Sequence, residues 1–148
     1  MTRDRTLVME WPELDIRVEC EPLAFNRECY DFLLDNLPIK GIQGHAVVTG
    51  ELMYIMNLKL STYPTFKYND LKVEDLSVED VGRVSIFITA GRVGSISVKY
   101  GECTENMSYP TIAQVVARDI EKLKEAGAAI WNAIYKTKDI ITVNFSVK

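Results

Sequence analysis

The spacing of hydrophobic and polar positions changes period several times along the chain, and each change marks an element. In "LDIRVECE" (14–21), Leu14, Ile16, Val18 and Cys20 alternate with Asp15, Arg17, Glu19 and Glu21, the two-residue period of a half-buried strand. After Pro22, Phe25, Cys29, Phe32 and Leu33 fall at helical spacing and Pro38 closes the run, which predicts a helix of about three turns laid on a sheet. The β-rich runs "GIQGHAVV" and "ELMYIMNL" flank a turn at Thr49-Gly50, and "VGRVSIFITAGRVGSISVKYG" holds two more around "AGR". Both pairs predict hairpins. Residues 57–82 between them carry "STYPTFKYND" and the acidic "VEDLSVED" with little periodicity, a long, partly ordered excursion of the kind that often serves function.

From 117 the period becomes helical. Ile120, Leu123, Gly127, Ile130, Trp131 and Ile134 form one apolar stripe on a helix of about five turns, with Asp119 and Glu121 early and Lys136 and Lys138 late, as the helix dipole favours. The chain then ends in "IITVNFSV", where Ile141, Val143, Phe145 and Val147 alternate with polar residues; a strand so patterned needs a partner within a barrel or across a dimer. Strands outnumber helices and follow one another as hairpins. The expected fold is therefore mainly β, a closed antiparallel sheet with one helix near the N-terminus and one long C-terminal helix.

A chain of 148 residues makes one ordinary domain. Its 47 % hydrophobic and 26 % charged residues suit a globular protein, and no run approaches the ~18 apolar residues of a membrane span. "MTRDRTLVMEW" lacks a signal-type apolar core before Trp11 and Pro12, so a cytoplasmic location is expected. Cys20, Cys29 and Cys103 show no C-x-x-C spacing and fit reduced thiols, and a single histidine rules out a His-rich metal centre. The net charge of −4, with scattered basic residues, gives no footprint for nucleic acid. "TAGRVGS" matches neither the phosphate loop nor the dinucleotide fingerprint. No cofactor is expected.

Candidate chemistry begins at "GHAVVTGELMYIM" (44–56). A three-residue loop of Val48, Thr49 and a left-handed Gly50 suits this hairpin better than a two-residue loop, which would force φ > 0 on β-branched Thr49. His45 then faces Met53, and His45 and Glu51 become diagonal neighbours on one face, roughly 7 to 8 Å apart at the backbone. An imidazole and a carboxylate so placed can do acid–base work if burial tunes them; the alternative is an ordinary solvated hairpin. A second constellation, "KYGECTENMSYPT" (99–111), gathers Tyr100, Glu102, Glu105, Asn106 and Tyr109 after an apolar strand, and is otherwise a polar loop leading to a helix. "YPTFKY" puts Tyr63 and Phe66 in the long loop, either as an aromatic wall over a pocket or as a lid packed on the barrel.

The order strand, helix, "GHAVVTGELMYIM", aromatic loop and "GRVSIFITAGRVGSISVKYGECTENM" resembles the bacterial cyclophilin-like-fold families, in which a His-x-x-x-x-Gly-Glu arrangement heads a central hairpin. "DIEKLKEAGAAIWNAIYKTKDI" (119–140) is similar to the helical segment associated with cucumopine synthase. The resemblance implies a cyclophilin-like barrel over about 1–112, a helical segment over 113–138 and a terminal strand over 139–148. It also implies a cofactor-free condensation of an amino acid with a 2-keto acid through an imine, of Pictet–Spengler type; in cucumopine synthase the partners are histidine and 2-oxoglutarate and the imine closes on the imidazole ring. Glu51, Glu102 and His45 are then the expected catalytic residues. Tyr54, Tyr63, Phe66, Tyr100, Tyr109 and Arg92 are the expected substrate contacts. A dicarboxylic keto acid calls for basic partners, and Arg83, Arg92, Lys99 and Lys40 lie near the expected face. The Phe-His-Arg stretch of prolyl isomerases is absent, and a fold does not carry an activity with it. Beside this enzyme stand two alternatives: a barrel that binds a small metabolite without turnover, and an oligomeric scaffold. The expected partners are a small amino or keto acid and further copies of the chain, a homodimer or higher homo-oligomer, with neither nucleic acid nor membrane.

Overall fold

The computed structural model describes residues 5–55, 58–89 and 92–148. Ten strands, β1 (Leu7–Trp11), β2 (Ile16–Pro22), β3 (Ile39–Ile42), β4 (Gly44–His45), β5 (Gly50–Ile55), β6 (Val73–Asp75), β7 (Arg83–Thr89), β8 (Arg92–Cys103), β9 (Ser108–Val115) and β10 (Thr142–Val147), pair antiparallel in the order β3-β10-β1-β2-β9-β7-β8-β5-β4, with β6 added to β9. Helix α1 (Arg27–Asp35) follows β2, and α2 (Ile120–Asn132) runs on into a π-helical turn, Ala133–Thr137. The mainly β architecture with two helices is the one the hydrophobic periods predict. Among the described residues no helix is long and apolar enough to cross a membrane.

The two ends of the strand order are one piece of chain. β3 pairs with β10 and β4 with β5, and only Gln43 separates them, so the sheet nearly closes on itself where the chain changes partners. Gln43 is buried and joins both sides: its backbone N–H donates to Ile141 O (2.8 Å), Oε1 accepts from Trp11 Nε1 (2.9 Å), and Nε2 donates to Gly44 O and Tyr54 O (3.0 Å each). Inside, Met9, Trp11, Met53, Ile86, Val98 and Phe145 form the core, against which α1 lays Tyr30 and Leu33 and α2 lays Leu123, Ala126 and Ile130. α2 contacts β2, β8, β4 and β5, which brings it over the hairpin that carries His45.

Several elements depart from the sequence pattern for identifiable reasons. β1 has no counterpart among the elements the hydrophobic periods predict: Leu7, Val8 and Met9 are all buried, so this central strand is covered on both faces and lacks alternation. β9 begins inside the 99–111 stretch, whose alternative reading is a polar loop leading to a helix; Pro110 is accommodated in the strand where β6 adds, opposite Val73. The 57–82 excursion includes β6, and the "AGR" turn falls on Ala90 and Gly91, outside the described residues. β10 lies between β1 and β3, so its partners are within the chain rather than in a second copy.

Replacing Gln43 with Ala leaves the Trp11 indole N–H and two carbonyls without their partner, and is expected to lower the unfolding free energy by about 2–4 kcal/mol. Urea denaturation reads this directly; a loss under about 0.5 kcal/mol would mean that the barrel closes without the Gln43 bridge.

Candidate active site

A register break in β8 organises the site. Leu52 pairs with Lys99 and Gly50 with Cys103, so β5 sets the single residue Glu51 opposite Tyr100, Gly101 and Glu102. Such bulges bend a strand and re-aim its side chains. Gly50 has φ +128°, a positive value as the loop argument requires, and the carbonyl of Glu102 lies so close that no side chain fits there. The hairpin loop is wider than expected: pairing stops at His45↔Met53, with one further bond from Ala46 N to Leu52 O. The Glu51 carboxylate lies against Gly101, where a Cβ would stand 2.5 Å from Oε1, and accepts from the Glu102 N–H at 3.3 Å.

His45 bonds Tyr100, which lines the same cavity as Glu51. His45 Nδ1 lies 2.7 Å from Ala46 O, and a carbonyl can only accept, so Nδ1 carries the proton. Nε2 is therefore the acceptor for the Tyr100 hydroxyl at 2.6 Å. Both groups are buried. Helix α2 closes over them: Trp131 and Tyr135 lie edge-on to the imidazole with centroids 5.0 and 6.3 Å away, and Tyr135 Oη donates to His45 O. Gly127 makes this approach possible, because a Cβ there would meet the Tyr100 ring at 2.5 Å. Burial pushes His45 below its usual 6.5, against smaller raising effects of the Ala46 bond and the Glu51 charge. Burial first, then the Glu51 charge, raises Tyr100 to about 12. Both groups are neutral at pH 7.

Between β8, β5, the turn before β7 and α2 lies an open cavity of ≈ 460 Å³, lined among others by Glu51, Lys99, Tyr100, Glu102, Cys103 and Lys124. Two acidic residues and two lysines thus contribute to the lining of one cavity. Lys99 is almost fully buried, its Nζ donating to Leu76 O (2.6 Å) and Glu79 O (2.7 Å) in the turn that precedes β7. Glu79, in that turn, is buried with neither carboxylate oxygen hydrogen-bonded among the described residues. Burial, reinforced by Glu74, pushes it up to about 7 against the pull of Lys99 and Arg83. Burial likewise raises the Cys103 thiol, which disfavours the thiolate a nucleophile needs.

The remaining expected contacts separate. Tyr54 and Tyr109 line a mostly apolar groove of ≈ 310 Å³ with Leu52, Leu76, Phe87 and Met107, where Tyr109 meets Phe87 edge-on at 5.7 Å. Tyr63 and Arg92 pair with each other, the guanidinium 4.4 Å from the ring centroid, and both are exposed. Phe66 packs on Phe32 of α1 at 5.6 Å, the lid arrangement rather than a pocket wall. Arg83 is held by Glu74 and Gln114, and Lys40 is exposed on β3. Trp131, Tyr135, Glu79 and Lys124 were not singled out as site residues. The aromatic pair had a visible signal, an i,i+4 spacing on a helix with a stripe already assigned, whereas Glu79 and Lys124 had none.

No protein-family model matches the chain, and no curated protein is significantly similar to it. Among solved structures, the chain is similar to McbB in complex with tryptophan, with a TM-score of 0.79 and 29 % identity over 95 % of this chain and 44 % of that one. The chain therefore spans less than half the length of McbB.

The buried Glu79 fixes a pH dependence of stability. Its carboxyl titrates near its ordinary 4.5 when unfolded and at about 7 when folded, so between the two the folded chain binds more protons. The stability it contributes is complete below about 4.5 and is lost as pH rises through about 7. Glu79→Gln is accordingly expected to stabilise the protein at pH 8 by on the order of 2 kcal/mol, and much less at pH 5, in parallel urea titrations. An effect equal at the two pH values would contradict this.

Proposed function

We propose that the protein is a cofactor-free small-molecule enzyme that joins an amino acid to a carbonyl compound through an imine and closes the product onto an aromatic ring, a Pictet–Spengler type reaction. The observation that carries this is the shared cavity, where Glu51, Glu102, Lys99 and Lys124 complement the ammonium and carboxylate of a zwitterion. The similarity to a structure solved with tryptophan supports the same class. Tryptophan, like the histidine used by cucumopine synthase, carries a primary amine a short tether away from a nucleophilic ring. The resemblance to cucumopine synthase makes a 2-keto acid the carbonyl partner.

The chemistry asks for proton movement alone. The neutral amine adds to the carbonyl carbon, the carbinolamine loses water to give an iminium ion, and a ring carbon then attacks that carbon. Loss of the ring proton restores aromaticity, so the product is the sum of both substrates less one water, with no net oxidation. Glu51 takes the ammonium proton, returns it to the departing hydroxyl as water, and is then free to take the ring proton, while Glu102, beside it, is a second carboxylate that can share these transfers. The Tyr100 ring forms one wall. His45, with both nitrogens bonded, acts through Tyr100 as a positioning residue.

Incubation of the protein with L-tryptophan or L-histidine and a panel of 2-keto acids is expected to yield the dehydrated adduct by mass spectrometry. Glu51→Gln should cut turnover by about 10²- to 10⁴-fold while the amino acid still binds. Unchanged turnover in that variant would remove Glu51 from the mechanism. Binding without any product would leave the metabolite-binding barrel instead.

A further inference from the structure

Lys99 is a buried cation whose hydrogen bonds are incomplete. A lysine amine has three donors. Two are spent on the Leu76 and Glu79 carbonyls; among the described residues the third has no partner, although Lys99 forms part of the cavity wall. The nearby Glu79 carboxylate is buried with neither oxygen bonded. Buried charge is costly unless paired, and Lys99 contributes to the lining of this cavity, so an anion bound there is a fitting partner for its remaining N–H.

We propose that Lys99 is the specificity residue that holds the ligand's α-carboxylate in this cavity, and that the buried Glu79 carboxyl weakens that hold as pH rises. The proposal rests on the amino-acid reading of the site given above. Charged or titratable groups around Glu79 come from each neighbouring strand: Glu74 and Asp75 from β6, Arg83 from β7, and Lys99 and Cys103 from β8. Burial among them pushes the Glu79 carboxyl up to about 7. When it is neutral, the Lys99 charge is available to the ligand. Once it ionises, a second carboxylate competes for the same amine. Anchoring the carboxylate at Lys99 also directs the ligand's amine toward Glu51 and Glu102, the two acidic residues of the cavity lining, while Lys124, the other lysine there, reaches Glu121 at 3.5 Å.

L-Tryptophan and tryptamine, which share a ring and an amine and differ by the carboxylate, separate the possibilities by titration calorimetry. Wild-type protein is expected to bind tryptophan at least about tenfold tighter than tryptamine. Tryptophan affinity should fall by about fivefold from pH 6 to pH 8, while tryptamine shows no such fall. Lys99→Met should abolish the preference by weakening tryptophan alone. Because that substitution also strips the turn carbonyls of their donor, Glu79→Gln, which keeps the lysine, is the second variant: it should flatten the pH dependence for tryptophan. Equal affinity for the two ligands in the wild type, or a pH dependence that survives Glu79→Gln, would overturn the assignment while leaving an amine-binding cavity. If neither ligand binds, the amino-acid reading fails and the assignment with it.

Discussion

The candidate site depends on one mismatch in strand length. Between their pairs at Leu52↔Lys99 and Gly50↔Cys103, β5 advances two residues while β8 advances four. The extra length of β8 is what places Tyr100, Gly101 and Glu102 opposite Glu51 alone. A regular ladder would pair one residue with one and turn every second side chain of β8 away. With the bulge, Tyr100 reaches His45, the Glu102 N–H reaches Glu51, and Lys99 lines the same cavity as Glu51. Two glycines keep the arrangement open: Gly101 clears space for the Glu51 carboxylate and Gly127 lets α2 settle on the Tyr100 ring. A methyl group at either position would move a group the site uses.

Around this irregular strand the barrel is conservative. Gln43 lets one stretch of chain serve two strands without an unpaired backbone seam, and the apolar side chains beneath it are buried on both sheet and helix. The polar groups at the site are likewise anchored. His45 is fixed at both nitrogens, and Lys99 ties the turn before β7 to β8. Glu51 and Glu102, by contrast, are exposed at the cavity rim, where a carboxylate keeps access to solvent and to a ligand. A fixed frame with solvent-exposed carboxylates suits proton transfer, since the frame sets geometry and the rim groups exchange protons.

Elements whose two faces differ were legible in the sequence. β2, β10, α1 and α2 each bury one side, so alternation or a helical stripe gave them away. β1, buried on both faces, and β9, interrupted by Pro110, carry no such contrast. At the site the same division holds. His45, Glu51, Tyr100 and Glu102 lie on neighbouring strands of hairpins that local pattern predicts, and the structure brings them together. Lys99 alternates with Ile96, Val98 and Tyr100 as if it faced water, and only the turn carrying Leu76 and Glu79, some twenty residues earlier, buries it. Tyr63, Arg92 and Phe66 sit on segments whose path sequence does not dictate, and they lie apart from the Glu51 cavity.

The central claim is that the cavity between β8 and α2 holds an amino acid with its amine at the Glu51–Glu102 pair. A crystal structure of the protein soaked with L-tryptophan tests it most directly. The account predicts the ligand amine within hydrogen-bond distance of the Glu51 or Glu102 carboxylate and the indole against the Tyr100 wall. Tryptophan bound instead in the apolar groove beside Phe87 and Tyr109, with the Glu51 cavity filled by water, would contradict it.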